Sequence, residues 1–260
     1  MQSSDIYNSK WQTFLKQVDL GQFHQLWELK ATWFEEPNIR RGGWSGVVKI
    51  PLQRPGIKPV FIFIKRQENH LSRTWRHPIS GIATFQKEYE NIKHFHHCHI
   101  PTLELVYFGT RTYNGNRQAI IATQDLAGYH PLDELLPNSN LDIITNWKCK
   151  QALLSATAKV LSQMHQHNMQ HNSLYPKHIF AKRVNDDWDV RIIDLEKAKR
   201  RLFRKTAILR DLGTLRRHTL DWTVKEQITF FKAYVNETKL SPKSKKLWYQ
   251  IQDRVLNKSK

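Results

Sequence analysis

The side chains whose types and order could carry chemistry lie in three stretches. One is His171-Asn172-Ser173-Leu174-Tyr175-Pro176-Lys177-His178, where imidazoles flank a serine hydroxyl; another is Val190-Arg191-Ile192-Ile193-Asp194, an apolar run that ends on a carboxylate. An acid at the end of a buried strand serves either as a cation ligand or as a turn or helix-cap group. Upstream, Val60-Phe61-Ile62-Phe63-Ile64 ends on Lys65. A lysine there pairs with an acid or a phosphate, unless its strand is an edge strand and the ammonium is left in solvent. A strand-borne cation, a carboxylate for a metal and a loop that meets the nucleophile are the parts phosphoryl transfer needs, because positioning and charge stabilisation do most of its catalysis.

The order of these residues follows protein-kinase motifs, with substitutions. Arg41-Gly42-Gly43-Trp44-Ser45-Gly46-Val47-Val48 matches the glycine-rich loop G-x-G-x-x-G-x-V at Gly43, Gly46 and Val48, with Arg41 in place of the first glycine. The same glycines would also suit an ordinary hairpin turn. Lys65 follows Val48 by 17 positions (65 − 48), about where a kinase keeps its strand lysine. The acids available to it on the next helix are Glu88 and Glu90, with Glu88 the expected partner and Glu90 the alternative. Against the catalytic loop H-R-D-L-x-x-x-N, Ser173 takes the position of the base and His178 that of the metal-binding asparagine. A serine hydroxyl is no base near neutral pH, and loss of a positioned base typically costs about 10²- to 10⁴-fold in rate. Ser173 therefore orients the acceptor, or Asp194, His171 or His178 substitutes for the base, or catalysis is lost. His178 is a softer ligand than magnesium prefers.

Two histidine-rich groups, His94 to His99 with Cys98, and His165, His167, His171 and His178, lack a standard zinc spacing. They read as the polar end of a helix and the catalytic-type loop. The pattern G-x-x-x-x-G-K-[ST] is absent, which argues against a P-loop NTPase.

The elements that must position these groups follow from periodicity. Residues 1–40 give a helix and then a strand near His24 to Thr32. Gly46 to Ile50 and Val60 to Ile64 read as antiparallel strands about a turn at Arg54-Pro55-Gly56, and Phe85, Tyr89, Ile92 and Phe95 predict a helix over 84–97 closed by Pro101. Leu105 to Phe108 and Ala119 to Thr123 flank Asn114-Gly115-Asn116, a second hairpin. Helix begins again from Leu132, and Leu154, Ala158, Leu161 and His165 share one face of a long helix starting near Asn146. Strands first and helices later predict an α+β, bilobal architecture: a β-rich lobe with one main helix over 1–124 and a mostly helical lobe over 125–260, forming one domain.

At 260 residues, 40% hydrophobic, with nine Trp and twelve Phe, the chain can bury a large core. A polar N-terminus and the lack of an 18-residue apolar run point to a cytoplasmic protein. Cys98 and Cys149 are too few for a disulfide framework and are expected as free thiols. The net charge of +18, with a pI near 9.9, points to a polyanionic partner: nucleic acid, an anionic membrane surface or a phosphorylated glycolipid. Its densest run is Lys197 to Lys205, followed by Arg216-Arg217 and a tail from Lys239 to Lys260. Nucleic-acid binding rests on charge alone, with Trp44, Trp75 and Trp188 as available stacking groups, and is the least expected of the three.

Leu174 to Phe180, Ile193-Asp194-Leu195-Glu196-Lys197, Glu88 to Phe95 leading into Ile100-Pro101-Thr102, and Arg210-Asp211-Leu212 together resemble bacterial lipopolysaccharide kinases of the InaA and WaaP type, over about residues 40–220. The resemblance implies a protein-kinase-like fold, ATP with Mg2+, and phosphorylation of a core sugar at the cytoplasmic face of the inner membrane by a peripheral enzyme. It implies that Lys65 binds phosphates, Glu88 pairs with it, Asp194 holds metal, and Asp211 braces the catalytic loop. It makes Thr123-Gln124-Asp125-Leu126 the adenine-facing connection between lobes. The basic run after Asp194 suits an anionic glycolipid, since guanidinium pairs with phosphate in a bidentate manner. Ser173 and Arg41 leave open a catalytically weak or inactive relative that binds a glycolipid or a protein partner.

Overall fold

The computed structural model describes residues 4–40, 42–54, 57–74, 77–136 and 143–256. Arg41, the Pro55-Gly56 turn, Trp75 and the last lysines of the tail, Lys258 and Lys260, lie outside the described residues. The chain divides into two compact units, Met1–Lys93 with Leu103–Ala127, and His94–Thr102 with Gly128–Lys260.

The first unit runs β1 (Ser4–Tyr7), α1 (Ser9–Gln17), α2 (Phe23–Glu28), β2 (Trp33–Arg40), β3 (Gly43–Arg54), β4 (Ile57–Glu68), β5 (Leu71–Thr74), β6 (His77–Ala83), most of α3 (Thr84–His97, whose last residues from His94 count with the second unit), β7 (Leu105–Tyr113) and β8 (Asn116–Gln124). Among the described residues its main sheet is antiparallel, in the order β1-β7-β8-β4-β3-β2, with β5 and β6 paired separately. The strand expected near His24 to Thr32 is corrected. Phe23, Leu26 and Trp27 stand at i, i+3 and i+4, so their apolar surface gathers on one face of a short helix, and the strand starts only at Trp33. Asn8 caps α1 by accepting from the amide of Lys10. The β7–β8 hairpin closes at Asn114 and Gly115, with φ of 49° and 79°, a two-residue turn whose twist matches the strands.

Register decides which side chains face where. In antiparallel pairs, directly opposed residues share a face. Val48 opposes Ile64 and Ile64 opposes Ala122; these join Leu52, Ile62, Val106 and Ile120 in a core packed against Trp11, Phe14, Leu15, Phe23 and Leu26. The other face of the same strands carries Val47, Lys65 and Ile121. β4 is hydrogen-bonded on both sides, so Lys65 is not an edge-strand lysine.

The second unit contains β9 (His130–Pro131), α4 (Leu132–Leu135), α5 (Trp147–Gln166), β10 (Met169–Gln170), β11 (Ile179–Val184), β12 (Asp187–Ile192), β13 (Lys199–Arg200), α6 (Arg204–Arg217), α7 (Val224–Val235) and α8 (Pro242–Leu256). Asn146 caps α5 through its bond from the amide of Cys149, and the expected face of Leu154, Ala158, Leu161 and His165 is buried. Ile179 and Phe180 open β11, a strand that periodicity did not pick out, which pairs with β12 from Ile179 opposite Ile192 to Val184 opposite Asp187. A capping box between Thr223 and Glu226 starts α7. The α+β expectation stands: a strand-rich unit followed by a mostly helical one. Among the described residues, no helix is long and apolar enough to cross a membrane.

Candidate active site

In the first unit, Lys65 Nζ lies 2.8 Å from Glu88 Oε1; the Glu88 side chain is 1% exposed and that of Lys65 23%. The choice between the two acids is settled by burial. Glu90 is exposed on α3 and accepts from the Gln86 amide instead. The buried carboxylate needs a cation beside it, because desolvating an unpaired charge is costly.

The glycines of the expected phosphate loop sit where the chain packs closely. A Cβ on Gly43 would collide with the backbone of Glu68 and Asn69, and one on Gly46 would stand 2.7 Å from the Trp33 ring. Val48 is corrected as a ligand-facing residue: it is fully buried in the core on the face opposite Lys65, and Val47 is the residue that shares the lysine's face. Gln124 ends β8, with its amide bonded to the Glu104 carbonyl, and Leu126 is half-buried beyond it. Asp125 between them pairs with Lys49 at 2.9 Å.

In the second unit, Asp211 organises the loop after β10. This carboxylate is buried on α6 and accepts from the backbone amides of His171 (2.6 Å) and Asn172 (2.9 Å), with His165 Nε2 at 3.3 Å. Asn172 has φ of 68°, a left-handed conformation asparagine tolerates, and in it the two successive amides converge on one carboxylate. His165 in turn lies 2.8 Å from the Tyr234 hydroxyl. Sequence reasoning placed His165 on a helix face and in a histidine-rich group, without this role in the network.

His171 is fully buried, and both ring nitrogens are engaged. Nε2 donates to the Ile193 carbonyl (2.8 Å), which leaves Nδ1 to accept from the Ser173 amide (3.3 Å). Burial pushes its pKa below the usual histidine value, outweighing the opposing pull of Asp211. A neutral imidazole with no free nitrogen is not a general base, so the expectation of a catalytic His171 is corrected: it ties the loop to the end of β12.

Ser173 is buried, and its hydroxyl makes no hydrogen bond among the described residues, while its carbonyl accepts from His178 Nδ1 at 2.9 Å. His178 Nδ1 therefore carries its proton, and the same atom lies 3.4 Å from Asp194 Oδ2. Asp194 has φ of 60°, an uncommon left-handed conformation for a residue other than glycine. Its carboxylate is 35% exposed and makes no cap bond to the 3-10 turn that follows. Asp194 stands at the N-cap position of that turn without using its side chain as a cap, which leaves a carboxylate that is neither buried nor paired with lysine or arginine among the described residues.

Asp194 offers the hard, accessible oxygen that Mg2+ takes alongside water and phosphate oxygens. His178 through Nδ1 does not fit, because that nitrogen is a proton donor facing Asp194. Among the described residues no three His, Cys, Asp or Glu side chains converge as a metal site, and in the first histidine group His94 is a 3.6 Å neighbour of Cys98.

These features coincide with similarity to known proteins. The model of the lipopolysaccharide kinase (Kdo/WaaP) family matches residues 24–234. The chain is 30% identical over 197 residues to protein InaA of Escherichia coli strain K12, covering 76% of this chain and 88% of that protein. It is 27% identical over 165 residues to the lipopolysaccharide core heptose(I) kinase WaaP of Pseudomonas aeruginosa, covering 57% of this chain and 58% of that protein. A structure of WaaP in complex with acyl carrier protein superposes with a TM-score of 0.66 over 99% of both chains at 19% identity, which shows the shared fold alone. With a family match spanning most of its length, the chain belongs to the lipopolysaccharide kinase (Kdo/WaaP) family.

Proposed function

We propose that this chain is an ATP-dependent sugar kinase acting on a hydroxyl of an anionic, lipid-linked core oligosaccharide, working peripherally at the cytoplasmic face of the inner membrane. The observation that carries the reading is Asp194: a strained, accessible carboxylate with no cap bond, set at the end of β12 in a chain that keeps the Lys65–Glu88 pair. In this reading residues 1–260 form one kinase-like domain with lobes over 1–124 and 125–260. Gly43, Gly46 and Lys65 contact nucleotide phosphates, Glu88 holds Lys65 in place, and Gln124 to Leu126 meet the base. Bound magnesium supplies charge neutralisation on the transferring phosphoryl group.

This chain's own residues do the positioning. Asp194 is the protein's oxygen ligand. His178, through its Nδ1 proton, steers that carboxylate and holds the Ser173 carbonyl. Asp211 and His171 fix the loop so that the unbonded Ser173 hydroxyl presents an oxygen to the acceptor.

ATP with magnesium is expected to raise the melting temperature of the wild type, and Asp194→Asn to abolish that rise while leaving the melting temperature of the free protein nearly unchanged. Phosphate transfer to deacylated core oligosaccharide completes the test. No thermal shift at saturating ATP and magnesium, and no transfer, would defeat the reading.

A second reading, a kinase-fold protein without turnover that binds the same anionic glycolipid, is favoured by Ser173 standing where a base would be. Nucleotide binding without transfer, in a protein that retains glycolipid, would select it.

A further inference from the structure

Leu202 and Phe203 are 92% and 73% exposed, the former the most exposed large apolar side chain among the described residues. Single exposed apolar residues need no explanation. These two are adjacent and sit inside the chain's densest positive run, flanked by Lys197, Lys199, Arg200 and Arg201 on one side and Arg204 and Lys205 on the other; no acid occurs between Glu196 and Asp211. Lys197, Arg200, Arg204 and Lys205 are exposed.

The exposure belongs to a fixed tip rather than to a loose loop. β13 pairs with β10, Met169 opposite Arg200. The Arg201 amide donates to the Asn168 carbonyl at 2.8 Å, and its guanidinium donates to Gln170 Oε1 at 2.6 Å. One residue after the tip, Arg204 begins α6, and the Phe203 carbonyl accepts from Thr206. The backbone is thus anchored on both sides of two apolar side chains held out in solvent.

A bilayer interface is complementary to this arrangement. Apolar tips enter the boundary between headgroups and acyl chains, and cations around them bind anionic headgroups. We propose that Leu202-Phe203 and the surrounding cations form the element with which this protein docks on an anionic membrane. The inference rests on the peripheral-membrane part of the reading above and names the surface that performs it. The partner is the lipid surface itself, and docking brings the chain to a lipid-linked acceptor.

The test is flotation of the full chain with vesicles of phosphatidylcholine alone and with equimolar phosphatidylglycerol. The wild type is expected to float only with the anionic vesicles. Leu202→Ser/Phe203→Ser leaves the net charge at +18, so any loss isolates insertion from general attraction; at least about tenfold weaker partitioning is expected. Serine is a better N-cap than phenylalanine at position 203, so the variant has no reason to unfold, and an unchanged melting temperature checks this. Arg200→Gln/Arg204→Gln/Lys205→Gln is expected to lose anionic preference.

If the double serine variant floats like the wild type, the proposal is overturned. It is also overturned if the wild type fails to float while the variant loses retention on polyglutamate, which assigns the tip to an acidic protein partner. Transfer of phosphate to deacylated, soluble acceptor is measured in parallel and is expected to be unchanged in the double serine variant. Flotation that depends on the tip, in a chain without transfer, would support docking while defeating the kinase reading.

Discussion

Lys65 and Glu88 show how burial divides the demands on an ion pair. The Glu88 side chain is almost wholly shielded while that of Lys65 keeps 23% of its surface, so the acid is the member that cannot lose its partner. Lys65→Met is expected to destabilise the fold by about 3 kcal/mol, because it strands a buried charge, whereas Lys65→Met/Glu88→Leu recovers most of that loss. Denaturant unfolding of the wild type and the two variants checks it; a single substitution costing under about 1 kcal/mol would show that Glu88 is relieved in some other way. Lys65 was legible because it ends an apolar run, and Glu88 because it lies on the next amphipathic helix. Val48 was misread because motif spacing carries no parity. Only the pairing of Val47 with Lys65 reveals which of two neighbouring valines shares the lysine's face.

At the scale of elements, the loop from His171 to His178 is held from two sides: its backbone amides by Asp211 on α6, and its first imidazole by the end of β12. Burial keeps His171 neutral in the folded chain, with a pKa below the ordinary value of about 6.5, so the unfolded chain binds a proton that the native one refuses. The sign follows. The stabilisation is complete above about pH 6.5 and declines as pH falls below it. With thirteen histidines in the chain the total slope is composite, so the contrast with His171→Gln isolates this residue. Glutamine keeps a donor for the Ile193 carbonyl and cannot take up the proton; the variant is expected to lose less stability than the wild type between about pH 6.5 and 5, read by urea unfolding. Parallel curves would mean that His171 already titrates normally. The loop itself was legible from its histidine, serine and strand-borne acid. Its bracing by His165 and Tyr234 was not, because a histidine on a buried helix face looks the same in sequence whether it packs or carries a hydrogen bond. The β11 strand was hidden for a related reason: Pro176 and the polar residues before Ile179 mask a short period-2 pattern that pairing with β12 completes.

For the molecule as a whole, the net charge of +18 was the plainest signal in the sequence, yet by itself it did not distinguish nucleic acid from membrane or glycolipid. Its distribution discriminates better than its sum, since the run from Lys197 to Lys205 surrounds an apolar tip rather than a row of stacking aromatics. A field of this sign attracts an anionic acceptor over distances set by ionic strength, because the Debye length falls from about 30 Å at 0.01 M salt to about 8 Å at 0.15 M. Attraction of that kind acts on encounter and not on the bonds made at the reacting centre. Raising salt over this range with ATP held saturating is therefore expected to raise KM for a phosphorylated, deacylated core oligosaccharide several-fold, with kcat within about twofold of its low-salt value. An acceptor of the same size without phosphate should show neither change. Were kcat to fall while KM held constant, the salt would be acting on the Lys65–Glu88 pair or the Asp211-braced loop, and the surface charge would have no part in bringing the acceptor to the enzyme.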